Sequence, residues 1–206
     1  MRSRSRRRPI VLLAAAAVVV AGVLAAAALG EMKSTKLEPR LCETTGGGRF
    51  VKIPGFPGEK IDRRLLADIE YLVERYDIFI TDGYSTSKVH AKKGEHPIGL
   101  ALDIVPDTSR TKRWRKVTRL AKWAEPKQNH PRPPFRWVGY NGDVGHGRGD
   151  HLHLSWSHSP TEPKDPARTV YTIRCPEASD GSDPDGSGGV GSKIRAMQRT
   201  AVPEKH

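Results

Sequence analysis

The sequence predicts a small α+β domain: a mainly antiparallel sheet in a single domain, with helices packed on one side. Three observations predict it. Asp62 to Tyr76 carries apolar residues at helical spacing. Several shorter stretches alternate apolar and polar residues, as half-buried strands do. The elements run helix, strand, strand, helix, strand, strand, with hairpin-like spacing at the end, which suits α+β better than repeated βαβ units.

The elements follow in chain order. Of the 206 residues 36% are hydrophobic, and many of these lie in one early run, so the folding part is smaller than the chain. That run, Ile10 to Leu29, carries no charge and follows Arg2, Arg4, Arg6, Arg7 and Arg8. Its length matches the roughly 20 residues that span a bilayer as a helix. Signal-peptide cores are shorter, about 7–15 residues. The reading favoured is a basic cytoplasmic terminus at 1–9 and a transmembrane anchor at 10–30, with the domain outside a single-pass membrane segment. The small residues Ala25 to Ala28 leave a cleaved signal and a secreted domain as the alternative.

Residues 31–40 read as a polar linker. Thr44 to Gly58, rich in Gly and Pro, reads as loops and turns. In the helix at Asp62 to Tyr76, Leu65, Leu66, Ile69, Leu72, Val73 and Tyr76 share a face. Ile78 to Thr81 is a short strand closed by Asp82-Gly83. In a second strand, Leu100 to Val105, Leu100, Leu102 and Ile104 face one way and Ala101, Asp103 and Val105 the other. Pro106 ends it. Ser109 caps a second helix that runs to about Ala124 and stops before Pro126. Phe135 to Tyr140 and Asp150 or His151 to Trp156 are the last strands, joined by a glycine-rich loop, Asn141 to Gly149. The folded unit is expected at 41–176. The tail, 177–206, has almost nothing to bury and is expected to be disordered.

The formal charge is +12, and about +7 remains once the five leading arginines are assigned to membrane topology. An exported basic domain suits anionic polymers or a membrane surface. No nucleic acid is expected as a partner: no aromatic-and-arginine motif is present, and the basic helix Arg110 to Lys122 reads as a solvated face. The domain is expected to be a monomer. Outside the cytoplasm Cys42 and Cys175 are expected to pair, with two free thiols as the alternative. The bridge would tie the ends of the domain together, worth roughly 4–5 kcal/mol in a chain-entropy treatment.

The chemistry-bearing residues are His96, Asp103, Asp150, His151 and His153. His151 and His153 lie two apart, so both project from one strand face while Leu152, Leu154 and Trp156 project from the other. Asp103 projects opposite its own leucine and isoleucine row. Neighbouring strands could therefore aim Asp103 and His153 into one cleft, and Gly99 lets the chain turn closely between His96 and Asp103. Two imidazoles and a carboxylate are suitable zinc ligands, and a catalytic site uses three protein ligands and one open position. Strict alternation would send Asp150 away from His151, although Gly147 and Gly149 can bend the chain there. His146 is a rival base. His90, His130, His158 and His206 read as ordinary surface histidines.

His96-x-x-Gly99-x-Ala101-x-Asp103, together with His151-x-His153, resembles the signature of the zinc D-alanyl-D-alanine carboxypeptidase and dipeptidase superfamily. That superfamily includes murein endopeptidases and hedgehog amino-terminal domains. Gly83-Tyr84-Ser85 is similar to its Gly-Tyr element, and the likeness spans about residues 80–156. The resemblance implies a small antiparallel sheet with helices on one side, Zn2+ as cofactor and His96, Asp103 and His153 as its ligands. It implies Asp150 as the general base and His151 as a group steadying the tetrahedral intermediate. Substrate would bind near Tyr84 and Ser85. The family often has arginine after the Gly-Tyr pair; here the nearest cation is Lys88. The activity so implied is an exported zinc metallopeptidase acting on peptidoglycan peptides, in stems or crosslinks. The alternative is a non-catalytic, metal-containing module of the same fold that binds cell wall or a partner protein.

Overall fold

The computed structural model describes residues 30–108, 114–128, 134–144, 146 and 149–176. The apolar run at 10–29, the tail at 177–206, His130 and His206 lie outside the described residues, as does the start of the second helix. Among the described residues no helix is long and apolar enough to cross a membrane.

The fold is α+β, and the described residues form three antiparallel sheets and two α-helices. The first sheet joins β1 (Lys33–Glu38), β2 (Leu41–Thr45) and β9 (Thr169–Thr172) in the order β1-β2-β9. The second pairs β3 (Phe50–Lys52) with β4 (Lys60–Asp62). The third holds β5 (Ile78–Asp82), β6 (Ala101–Pro106), β7 (Phe135–Gly139) and β8 (Leu152–Trp156) in the order β5-β6-β8-β7.

Two segments depart from the sequence reading. The stretch taken as a linker at 31–40 forms β1, so the folded unit starts earlier than residue 41. Its side chains are almost all exposed, and an edge strand of lysine, serine and threonine carries no apolar alternation to announce it. The stretch taken as loops and turns contains β3, which pairs with β4 around the Pro54-to-Gly58 turn.

The first helix is built in two steps. Asp62 accepts a hydrogen bond from the Arg64 amide at 3.0 Å and starts a 3-10 turn, Arg63–Leu65. Helix α1 follows at Leu66–Tyr76 and ends at Asp77, which is left-handed with φ 46°. Arg64 is buried with Asp62 at 2.7 Å, and its guanidinium also donates to the carbonyls of Gly46, Ala167 and Arg168. Every arm of this buried pair has a partner, which offsets the desolvation that buried charges suffer. Helix α2, Arg115–Ala124, buries Val117, Leu120, Ala121 and Ala124.

Both helices share one apolar cluster with Ile80, Leu102, Ile104, Phe135, Val138, Leu152, Leu154 and Trp156 of the four-stranded sheet. Each fully buried leucine or isoleucine there contributes roughly 1.5–3 kcal/mol. One sheet face is thus consumed by the core, and the opposite face is left for polar groups. Cys42 and Cys175 are disulfide-bonded, joining β2 to the segment after β9 across 133 residues.

Candidate metal centre

The polar face of the four-stranded sheet carries one row of register partners. Asp82 on β5 pairs with Asp103 on β6, Asp103 with His153 on β8, and His153 with Gly139 on β7. Antiparallel pairing puts such residues side by side on the same face. Strand alternation supplies Asp103 and His153 directly, because Leu102, Ile104, Leu152 and Leu154 take the core.

The edge strands reach this face by bulges. Plain alternation would send Asp82 to the core with Ile78 and Ile80. An irregularity between Ile80 and Asp82 turns it over. A second irregularity between Phe135 and Trp137 does the same for Trp137, whose ring lies 4.8 Å from that of His153. Bulges insert a residue and re-aim the next side chain, so neither position could be read from a period of two.

His96 enters from outside the sheet, on a 3-10 turn, His96–Ile98, that ends at Gly99 with φ 67°. A Cβ at Gly99 would meet the Phe50 ring at 2.8 Å, so the turn needs glycine both for its conformation and for space. His96 is buried. Its Nδ1 donates to the Gly83 carbonyl at 2.6 Å, which leaves Nε2 with its lone pair facing the row. Gly83 itself is tightly held: its amide donates to Glu59 at 2.9 Å, and a Cβ there would meet the Lys60 carbonyl oxygen at 2.2 Å.

Three atoms converge. His96 Nε2 is 3.3 Å from Asp103 Oδ1 and 3.3 Å from His153 Nδ1, and His153 Nδ1 is 3.1 Å from Asp103 Oδ1. Ligands about 2.0–2.1 Å from a tetrahedral ion stand about 3.3 Å from one another, so the triangle has the size of one face of such a site. Buried His96 and His153 with half-buried Asp103 form a group able to hold a metal ion. Burial alone would raise the Asp103 pKa. Hydrogen bonds from His153 and His96, and their charges, outweigh that and hold the carboxyl well below the usual carboxylate range. Burial likewise works to lower His96, yet the bond and charge of Asp103 carry it above an ordinary imidazole. A cation in place of these protons satisfies the same carboxylate.

The other residues singled out in the sequence are arranged around this triangle. His151 Nε2 stands 3.6 Å from Asp103 Oδ1, beyond hydrogen-bond range but beside the ligand carboxylate. Its ring stacks on buried His146 at 4.1 Å. Burial first, and the neighbouring His151 second, keep His146 below the usual imidazole pKa. Asp150 is exposed, at the bend before β8. Tyr84 is half-buried, stacked on Phe50 at 4.2 Å, and its amide donates to the Lys60 carbonyl. The Ser85 amide donates to the His96 carbonyl at 3.2 Å, tying this element to the turn that carries His96. Lys88 is exposed.

Two histidines read as ordinary surface residues are not. His90 is half-buried, with Nε2 2.8 Å from Asp82 Oδ2 and its ring stacked on His96 at 3.9 Å. Asp82, His90 and His96 form a second group of potential ligands. The His90 ring, bonded to Asp82, packs against the His96 ring through this stack. His158 lies 4.0 Å from Glu95, which also pairs with Arg136 at 2.7 Å. No signal in the sequence marks His90, because it lies in an irregular loop with no periodicity.

No family model matches the chain, and no curated protein or solved structure matches it either.

Proposed function

We propose that this chain is an exported zinc-dependent peptidase of the D-alanyl-D-alanine carboxypeptidase and dipeptidase superfamily, hydrolysing peptide bonds in peptidoglycan stems or crosslinks. The observation that carries the reading is the triangle of His96 Nε2, Asp103 Oδ1 and His153 Nδ1, with sides of 3.1–3.3 Å, made by the residues of the two signature motifs. Export is supported by the arginine-flanked apolar run at 10–29 and by the Cys42–Cys175 disulfide, a bond typical of oxidising compartments. The substrate class rests on the motif likeness, the export and the basic charge together.

His96, Asp103 and His153 would hold the ion. When bound, zinc supplies Lewis acidity toward a carbonyl oxygen and makes water a nucleophile near neutral pH. The protein's own residues do the rest. Gly83, His90 and Asp82 fix the His96 ring, so the ligand set is oriented before substrate arrives. His151, beside the ligand carboxylate, can donate to the oxygen of a tetrahedral species as charge develops on it. Asp150 is the acid that the motif assigns to take a proton from the attacking water and return it to the departing amine. His146, stacked on His151, is the rival for that role.

The test is His153→Ala assayed on purified wall peptides beside the parent. The parent cleaves them and the variant loses at least 100-fold in rate. Equal rates would overturn the zinc mechanism. Stoichiometric zinc in a parent that cleaves no wall peptide would favour the non-catalytic binding module instead.

A further inference from the structure

The helical side of the domain, away from the metal centre, gathers cations around two aromatic rings. Tyr71 on α1 and Trp123 on α2 are half-buried neighbours with centroids 6.1 Å apart. The Arg174 guanidinium lies 4.6 Å over Tyr71, Arg75 lies 5.9 Å from the same ring, and the Lys127 ammonium lies 4.3 Å over Trp123. Arg40, in the turn between β1 and β2, is near enough for its charge to act on Lys127. Burial first, and the charge of Arg40 second, hold Lys127 below an ordinary lysine. Among the described residues none of the four makes an ion pair. The acids nearest in sequence, Glu74 and Glu125, pair with none of them. Asp68, near Arg174, is buried and its carboxylate is taken by backbone amides and Trp156.

Helix ends explain part of this. Arg75 and Lys127 stand at the carboxyl ends of α1 and α2, where the helix dipole favours cations. The dipole does not explain Arg40 and Arg174. These come from two other segments and are held there by the Cys42–Cys175 bond, two residues from one and next to the other. Of the four cations only Arg174 has an acid near it, the buried Asp68, so the patch as a whole is complementary to an anionic partner. Each cation over a ring is held in place by attraction to the negative face of the ring.

We propose that Arg75, Lys127 and Arg174, set over Tyr71 and Trp123, form together with Arg40 a docking surface for a flexible polymer of repeating phosphodiesters, of the polyol-phosphate kind. Such a chain needs only spaced cations. The ring faces are capped by those cations, so bases of a nucleic acid gain no stacking platform. Among the described residues the large exposed apolar side chains are Phe79, Val89 and Val144, none of them in this patch, which therefore offers a partner charge rather than apolar surface. The surface lies on the opposite side of the sheet from the metal centre, so a docked polymer leaves the cleft open. It does not depend on the peptidase reading.

The test uses the full chain in neutral detergent with a chelator present, titrated with fluorescent poly(glycerol phosphate). The parent binds, and binding weakens as salt rises. The quadruple variant R40Q/R75Q/K127Q/R174Q binds at least tenfold more weakly, and its log–log salt slope falls by about three, near 0.7 per charge removed for a flexible strand. A control removing equal charge elsewhere, K52Q/K60Q/K92Q/K93Q, changes affinity less than threefold. If the quadruple variant fails to fold, R40Q and K127Q singly are expected to weaken binding about threefold each. The proposal is overturned if the parent fails to bind, if patch variants bind as the parent does, or if the control loses as much. It is also overturned if single-stranded DNA or anionic vesicles of matched charge bind tighter than the polymer.

Discussion

Asp103 and His153 are register partners on β6 and β8, and His153 Nδ1 stands 3.1 Å from Asp103 Oδ1. Their meeting is therefore a property of strand pairing rather than of a loop. A slip of one residue by either strand would turn its member of the pair into the core, and the apolar neighbours Leu102, Ile104, Leu152 and Leu154 prevent that slip.

Removal of a ligand should show first in metal content. The purified parent is expected to carry about one equivalent of a divalent ion by elemental analysis. Asp103→Ala and His153→Ala are expected to carry less than about a tenth of that. Stripping the parent with a chelator should lower its melting temperature, because an ion bound only by the folded state stabilises it. Full occupancy in either variant would remove the triad as the site.

Gly83→Ala tests how the His96 ring is aimed. The added methyl would meet the Lys60 carbonyl at 2.2 Å, so the backbone must move, and with it the carbonyl that accepts from His96 Nδ1. Loss of such an orienting partner typically costs 10–100-fold in metal affinity. That range is expected by competition titration, with His90→Ala giving a smaller loss through the ring stack alone. Unchanged affinity in Gly83→Ala would show that the carbonyl does not orient the ligand.

Much of this centre was legible because it obeys strand alternation. Asp103 and His153 stand opposite apolar rows, and Gly99 marks the tight turn that brings His96 to them. Asp82 and Trp137 were not legible, because bulges reverse their faces. The strand β1 was hidden by its own exposure, and β9 by its shortness. Asp68 is marked in the sequence by its place three residues after Leu65 and four before Leu72, on the buried face of α1.

Proton competition should set the lower pH limit of metal binding. In the metal-free protein His96 holds its proton above the ordinary imidazole value, since the bond and charge of Asp103 overcome burial. An ion needs the neutral ring, so affinity should be pH-independent above that raised value and fall about tenfold per unit below it for each proton displaced. For the metal-free fold the sign is opposite. The raised pKa stabilises the protein fully below the unfolded imidazole value, and that contribution is lost as pH rises through the folded value. Calorimetry in buffers of different ionisation enthalpy should report proton release on metal binding. Absence of release near neutral pH would mean that the ring is already neutral there.

Asp68 ties β8 to the carboxyl end of the domain. Its carboxylate accepts from Trp156 Nε1 at 2.7 Å, from the Ile173 amide at 2.9 Å and from the Arg174 amide at 2.7 Å. Trp156 closes β8, and Arg174 adjoins the disulfide, so one buried acid fixes both. Burial raises its pKa to about 7 against those three donors. A carboxyl raised in this way keeps its proton in the folded state while the unfolded chain has lost it. Stability from this group is therefore greatest below about pH 4 and declines until pH passes about 7. Asp68→Asn removes the titration and turns one donor toward a donor, at a cost of about 1–3 kcal/mol. Urea unfolding of both proteins from pH 4 to pH 8 should show the parent's advantage over Asp68→Asn shrinking as pH rises. An advantage that grows with pH would mean that the three donors hold Asp68 ionised throughout, and that their hydrogen bonds outweigh the burial.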